Sequence, residues 1–252
     1  MLLACTLVGC ALFVIIRFVE PIIRHRMAIQ YIYSSGGAVL FREDDRPNFG
    51  GIYSDPTKDN PWRDVGMVHA RSDTEAIAVA RQLKYLPETE CLYLKGGVSD
   101  KGLAAICDSE PTPSFDTIDL LNSPVTAAGL AHLAKLKQLR TLFFNSCPIN
   151  DACLASVKSL DGLQNLTLLE EGSTANPNRF TEAGFREVGQ MKNLRSLWLV
   201  QLQISTAAAN HLKNLTRLDS LKLSRCLISD DSIAELRKAL PQCKVEVYLP
   251  EP

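Results

Sequence analysis

The chain has 252 residues, a formal net charge of −1 and 46% apolar residues. That charge gives no overall electrostatic case for nucleic acid as a partner. The apolar fraction is ordinary for a globular chain carrying an anchor.

Residues 2–16 contain no charge, and the apolar character continues through Phe18, Val19, Ile22 and Ile23. A spanning helix needs about 20 residues. Residues 1–23 are therefore predicted to form a single-pass transmembrane anchor, with Arg17 snorkelling to the interface. A cleaved signal peptide fits less well, because a basic n-region and a small-x-small site are missing. A lipoprotein signal at Leu7-Val-Gly-Cys10 also fits less well, because the strongest apolar run follows the cysteine. Arg17, Arg24 and Arg26 flank the C-terminal side of the span and no Lys or Arg precedes it. The positive-inside tendency then places the rest of the chain in the cytoplasm.

Residues 24–64 read as a juxtamembrane segment. A helix over 25–33 is ended by Ser34-Ser35-Gly36-Gly37, and Ala38–Phe41 follows as a strand. Residues 42–64, rich in Asp, Pro, Gly and Asn, read as a long loop. Ser72-x-x-Glu75 is a capping-box pattern that opens a helix over Asp73–Tyr85.

From residue 65 to 249 short apolar pairs recur about every 24 residues. They are Val68/Ala70, Leu92/Leu94, Ile118/Leu120, Leu142/Phe144, Leu166/Leu168, Leu197/Leu199, Leu221/Leu223 and Val245/Val247. Such a fixed period marks a solenoid. Each pair puts two apolar side chains on one face of a short strand. A polar residue then follows at Ser99, Thr126, Asn150, Thr181, Ser205 and Ser229. Ser, Thr and Asn are good N-caps, and the acids after several of them (Asp100, Asp151, Glu182, Asp230) suit a helix N-terminus. Apolar residues at helical spacing follow each cap, for example Leu154, Val157 and Leu160. The longer step from Leu166 to Leu197 holds an insertion at 170–179, which reads as a loop.

The stretch from Leu139 through Leu142, Phe144 and Cys147 to Ile149 matches L-x-x-L-x-L-x-x-N/C-x-L, as does the stretch from Leu218 to Ile228. Residues 65–249 thus resemble the leucine-rich repeat family in its cysteine-containing, ribonuclease-inhibitor-like style. The resemblance implies an α/β horseshoe with a parallel concave sheet and short convex helices. Gly97, Ser123, Glu171 and Leu202 stand at or near the N/C position, where the buried polar ladder is expected to be interrupted. The order of apolar segment, basic helix, strand, Asp-rich loop and repeats is similar to membrane-anchored leucine-rich repeat proteins of planctomycete-type bacteria.

In such a solenoid the outward strand positions line the concave face. One column reads Tyr93, Asp119, Phe143, Thr167, Trp198, Lys222, Glu246, and the next Lys95, Leu121, Asn145, Leu169, Val200, Ser224, Tyr248. Tyr93, Leu121, Phe143, Leu169, Trp198 and Val200 are expected to form an apolar patch for a protein partner, since aromatic anchors dominate interfaces. The competing reading is that a loop of the same molecule covers it.

Signals for catalysis are weak. The four histidines, His25, His69, His132 and His211, lack metal-ligand spacing to Cys or acids. No C-x-x-C, H-E-x-x-H, G-x-S-x-G or P-loop pattern occurs. Cys107, Cys147, Cys153 and Cys226 are expected to be free, packed as small apolar residues, with a disulfide framework as the alternative. The expectation is a non-catalytic scaffold module without cofactor, metal, nucleic acid or small-molecule substrate. The alternatives are a sensor or adaptor that regulates a membrane enzyme, and a hydrolase or ligase with its residues in 42–64. An F-box-linked ubiquitin-ligase adaptor is disfavoured, because no F-box-like helical domain precedes the repeats.

Overall fold

The computed structural model describes residues 15–41, 65–169 and 181–248. Among them nine strands form one sheet in sequence order. They are β1 Ala38–Phe41, β2 Val65–Ser72, β3 Cys91–Gly97, β4 Thr117–Leu121, β5 Thr141–Asn145, β6 Asn165–Leu169, β7 Ser196–Val200, β8 Ser220–Ser224 and β9 Lys244–Tyr248. β1 runs antiparallel to β2, and the later pairs are parallel. A helix precedes the sheet, α1 Glu20–Ser34, and others alternate with the parallel strands. These are α2 Asp73–Gln82, α3 Asp100–Cys107, α4 Ala127–Ala131, α5 Asp151–Val157, α6 Glu182–Val188, α7 Thr206–Leu212 and α8 Asp230–Ala239.

The apolar pairs set the register. Leu92, Ile118, Leu142, Leu166, Leu197 and Leu221 align across the ladder, as do Leu94, Leu120, Phe144, Leu168, Leu199 and Leu223. Both rows are buried against apolar residues of the helices, such as Leu130, Leu154, Phe185 and Leu236. Burying one such side chain contributes about 1.5–3 kcal/mol. No single repeat closes this core; each helix lies over its neighbours.

The polar residues after the strands cap the helices as their chemistry predicts. Side-chain oxygens of Ser72, Ser99, Thr126, Asn150, Thr181, Ser205 and Ser229 each accept from a backbone N–H of the first turn. The capping box at Ser72 is modified. Ser72 Oγ accepts from Glu75 N at 3.2 Å, but Glu75 Oε2 reaches back to Arg71 N, at 2.8 Å.

The acid at the first helical position also binds the next repeat. Asp73 accepts from Ser99 N, Ser99 Oγ and Gly102 N at 2.8, 2.6 and 3.0 Å. Asp100 accepts from Thr126 N and Oγ1, both at 2.6 Å. Asp151 accepts from Thr181 N and Oγ1, at 3.0 and 2.5 Å. Burial pushes the Asp73 carboxyl up, but the hydrogen bonds from Ser99 and Gly102 outweigh it and hold the group below the usual aspartate range. Each clamp needs a glycine. A Cβ at Gly102, Gly129 or Gly184 would stand 2.5, 2.2 or 2.3 Å from the clamping Oδ1.

The buried polar ladder continues where interruption is expected at Ser123. Cys147 Sγ donates to Leu120 O at 3.2 Å and Cys226 Sγ to Leu199 O at 3.3 Å. Ser123 Oγ donates to Leu94 O at 3.2 Å, so a hydroxyl does the work of the thiol. Leu202 is buried and brings no side-chain donor. Glu171 lies outside the described residues. Among the described cysteines, Cys107, Cys153, Cys226 and Cys243 are free thiols. Burial pushes the Cys107 thiol up to about 12 and Cys147 to about 11, so both are poor nucleophiles at neutral pH.

The sheet begins within the segment 24–64. β1 pairs with β2, and Ala28, Ile29 and Ile32 of α1 join the core. Tyr33 OH donates to Val39 O at 3.1 Å, tying helix to strand. Among the described residues no helix is long and apolar enough to cross a membrane. Residues 1–14 of the expected anchor, the loop over 42–64 and the insertion at 170–179 lie outside the described residues.

Candidate interaction face

The side of the sheet away from α2–α8 carries the alternate residues of each strand. The parallel register aligns His69, Tyr93, Asp119, Phe143, Thr167, Trp198, Lys222 and Glu246 in one column. Lys95, Leu121, Asn145, Leu169, Val200, Ser224 and Tyr248 form the column beside it. All six apolar residues singled out in the sequence therefore share one face. Their exposure differs. Trp198 is 39% exposed, Tyr93, Leu121, Phe143 and Leu169 are half-buried, and Val200 is only 9% exposed. Val200 thus offers little surface of its own.

The polar residues of the face are ordered around these side chains. Trp198 Nε1 donates to Ser224 Oγ at 3.0 Å, and Lys222 Nζ lies 5.9 Å from the Trp198 ring centroid. The first contact fixes the indole rotation, and the second covers part of one ring face. Asn145 Nδ2 donates to Asp119 Oδ1 at 2.6 Å. Burial pushes the Asp119 carboxyl up to about 6, against the opposing effect of the Asn145 hydrogen bond. A partly desolvated carboxylate thus sits between Tyr93 and Phe143. It would gain from a donor on whatever covers it.

His69 opens the column, buried and tilted against Tyr93 with ring centroids 5.0 Å apart. Burial pushes its pKa down to about 4, and Arg71 and Lys95 add repulsion, so it is neutral at pH 7. The other histidines bridge elements. His25 Nδ1 is 3.0 Å from Tyr85 O, His132 Nδ1 is 2.8 Å from Asp108 Oδ1, and His211 Nε2 is 3.2 Å from Glu182 Oε1. Among the described residues no group of three or more His, Cys, Asp or Glu is placed to hold a metal ion.

Choosing apolar residues alone left out Asp119, Asn145, Lys222 and His69. The first three stood in the aligned columns and were legible as polar neighbours of the aromatics. His69 lies between Val68 and Ala70, the weakest of the apolar pairs, and only that pair signalled its place.

The in-register consensus, the parallel ladder and the alternating helices give the chain the architecture of a leucine-rich repeat solenoid. No known family profile matches the chain, and no curated protein does. Solved structures similar to it include TLR13 in a complex with ssRNA13, at 16% identity and a TM-score of 0.46 over 69% of this chain. A leucine-rich repeat protein of Leptospira interrogans is 15% identical, with a TM-score of 0.41 over 68% of this chain. A protein from Bacteroides fragilis is 14% identical, with a TM-score of 0.47 over 75% of this chain and 67% of its own. The chain spans 27% of the TLR13 chain and 56% of the Leptospira protein.

Proposed function

We propose that the chain is a non-catalytic scaffold module that takes a protein partner on the helix-free face of its sheet. The observation that carries this reading is the column Tyr93, Phe143 and Trp198, three aromatics in one register with the indole 39% exposed. Rigid aromatics at the centre of a face, ringed by ordered polar groups, supply most of the energy in protein interfaces. Asp119 adds specificity, because an ionised carboxylate among aromatics favours a partner with a cation or N–H donor there. Residues 1–23 hold this module to a membrane as a single-pass anchor. Arg17, Arg24 and Arg26 at the C-terminal side of the span support a cytoplasmic repeat domain.

The test is affinity capture with the full chain in detergent, beside a Phe143→Ala/Trp198→Ala double variant. The expected result is loss of a partner held by the parent chain, with the helical CD signal of the variant unchanged. Equal capture by both chains sinks the reading. Loss of the CD signal would mean that these side chains belong to the core.

A further inference from the structure

The solvent-facing side of α1 is a second apolar surface. Among the described residues eight large hydrophobic side chains are exposed; Ile23, Met27 and Tyr31 lie on this side of α1, and Ile16 and Val19 lie in the π-helical turn Ile15–Val19 just before it. Ile23, Met27 and Tyr31 follow one another four residues apart, so they share one face of α1. The opposite face is already used, with Ala28, Ile29 and Ile32 in the core and His25 bonded to Tyr85 O. A helix that is apolar on two sides needs two apolar partners. The fold supplies one.

The charges beside this stripe identify the other. At about 100° per residue, Arg24 borders the stripe on one side and Arg26 on the other. Both are exposed. Glu20, the acid in this region, is ion-paired with Arg24. The Arg24 guanidinium and Lys84 Nζ lie 5.9 and 4.9 Å from the Tyr85 ring centroid, which adds a further cation at the rim. The uncharged residues 2–14 lead directly into the π-helical turn before α1. In a two-fold dimer through this face the flanking arginines would meet their own copies. Anionic lipid headgroups complement them, while the apolar stripe and Tyr31 enter the interfacial layer.

We infer that α1 lies along an anionic lipid surface through Ile23, Met27 and Tyr31, with Arg24 and Arg26 engaging headgroup phosphates. This rests on the membrane reading above and deepens it, because the terminal cap of the solenoid then lies on the bilayer itself. The geometry sets the orientation of the repeats relative to the membrane, which an anchor joined by a flexible linker would leave free.

The test uses the full chain carrying an environment-sensitive fluorescent amino acid at position 27, or at position 164 as control. The probe is vesicles of equal parts phosphatidylcholine and phosphatidylserine, with and without bromine on the acyl chains. The expected result is several-fold stronger bromine quenching at 27 than at 164, reduced by the exposed double replacement Arg24→Gln/Arg26→Gln. Vesicle association with no quenching at 27 overturns the inference and leaves the anchor standing. Absence of vesicle association overturns both. A blue shift at 27 that grows with protein concentration without lipid assigns the stripe to a second copy and also overturns it.

Discussion

The six junctions between successive helices from α2 to α8 divide into two kinds. Three carry an Asp at the first helical position and a Gly in the next helix: Asp73 with Gly102, Asp100 with Gly129, Asp151 with Gly184. The other three begin at Ala127, Glu182 and Thr206 and meet Cys153, Ala208 and Ser232 instead. Aspartate and glycine thus occur together or not at all. The reason is steric, because an Oδ1 placed to receive the next cap occupies the volume of a Cβ. A clamped junction is joined by charge-assisted hydrogen bonds from the next cap, and an unclamped one lacks them; the α6–α7 junction has the His211–Glu182 contact instead.

The largest effect expected from this comparison comes at the third clamp. Gly184→Ala forces a Cβ onto Asp151 Oδ1 and should cost about 1–3 kcal/mol. Adding Asp151→Ala should recover part of it, because the double variant reproduces an unclamped junction. Chemical denaturation of the four chains in that cycle measures the coupling. If the two changes simply add, the steric explanation is wrong.

An intermediate effect is expected at an unclamped junction. Ala208→Gly should cost about 1 kcal/mol through helix propensity. Adding Glu182→Asp supplies the shorter carboxylate and the room together, and should restore stability by building a clamp to Ser205. No recovery in denaturant melts would show that backbone position, rather than the Asp–Gly pair, makes the clamp.

Smaller effects lie at the sheet edge. Asn122, Ser146, Gln201 and Arg225 follow their strands with φ between 50° and 59°, a left-handed conformation that glycine adopts at no steric cost. Gly96 takes the equivalent place near the end of β3 at φ 69°. Arg225→Gly and Gln201→Gly should each stabilise by up to about 1 kcal/mol. Thermal melts read the sign, and a destabilised variant would mean that their side chains contribute contacts.

A further effect is expected as a pH dependence. The folded pKa of Asp119, about 6, is raised above its ordinary value. Its ionisation therefore weakens the fold as pH rises from about 4 to 6. Asp119→Asn should stabilise at pH 7.5 and lose that advantage near pH 4. His69, lowered to about 4, acts oppositely, removing stability as pH falls from about 6.5 to 4. Comparing Asp119→Asn with the parent chain at both pH values isolates the carboxylate. A pH-independent difference would contradict its raised pKa.

The strands and caps were legible because a 24-residue period repeats each signal. Leu-x-Leu gives the register and the Ser, Thr or Asn that follows gives the helix start. The Asp–Gly clamps were half legible. In one repeat the acids suit their own helix dipole, and the glycines in Ser99-x-x-Gly102, Thr126-x-x-Gly129 and Thr181-x-x-Gly184 have no local role. Their meaning needs two repeats side by side. The columns of the candidate face followed from the period, but exposure did not. Val200 and Thr167 are buried while Trp198 between their strand positions is open, and that depends on the size of neighbouring side chains. In the sequence the apolar stripe of α1 is not separable from the end of an anchor, since sequence alone does not tell which side of a helix the core takes.

The central claim is that the helix-free face holds a protein partner at Trp198. The most direct measurement places a photo-crosslinking amino acid at position 198 in cells, with position 234 on exposed α8 as control. The account predicts one discrete crosslinked species at 198, diminished by Phe143→Ala and absent at 234. Identical crosslinking from both positions, or none from 198 in a folded chain, would contradict it.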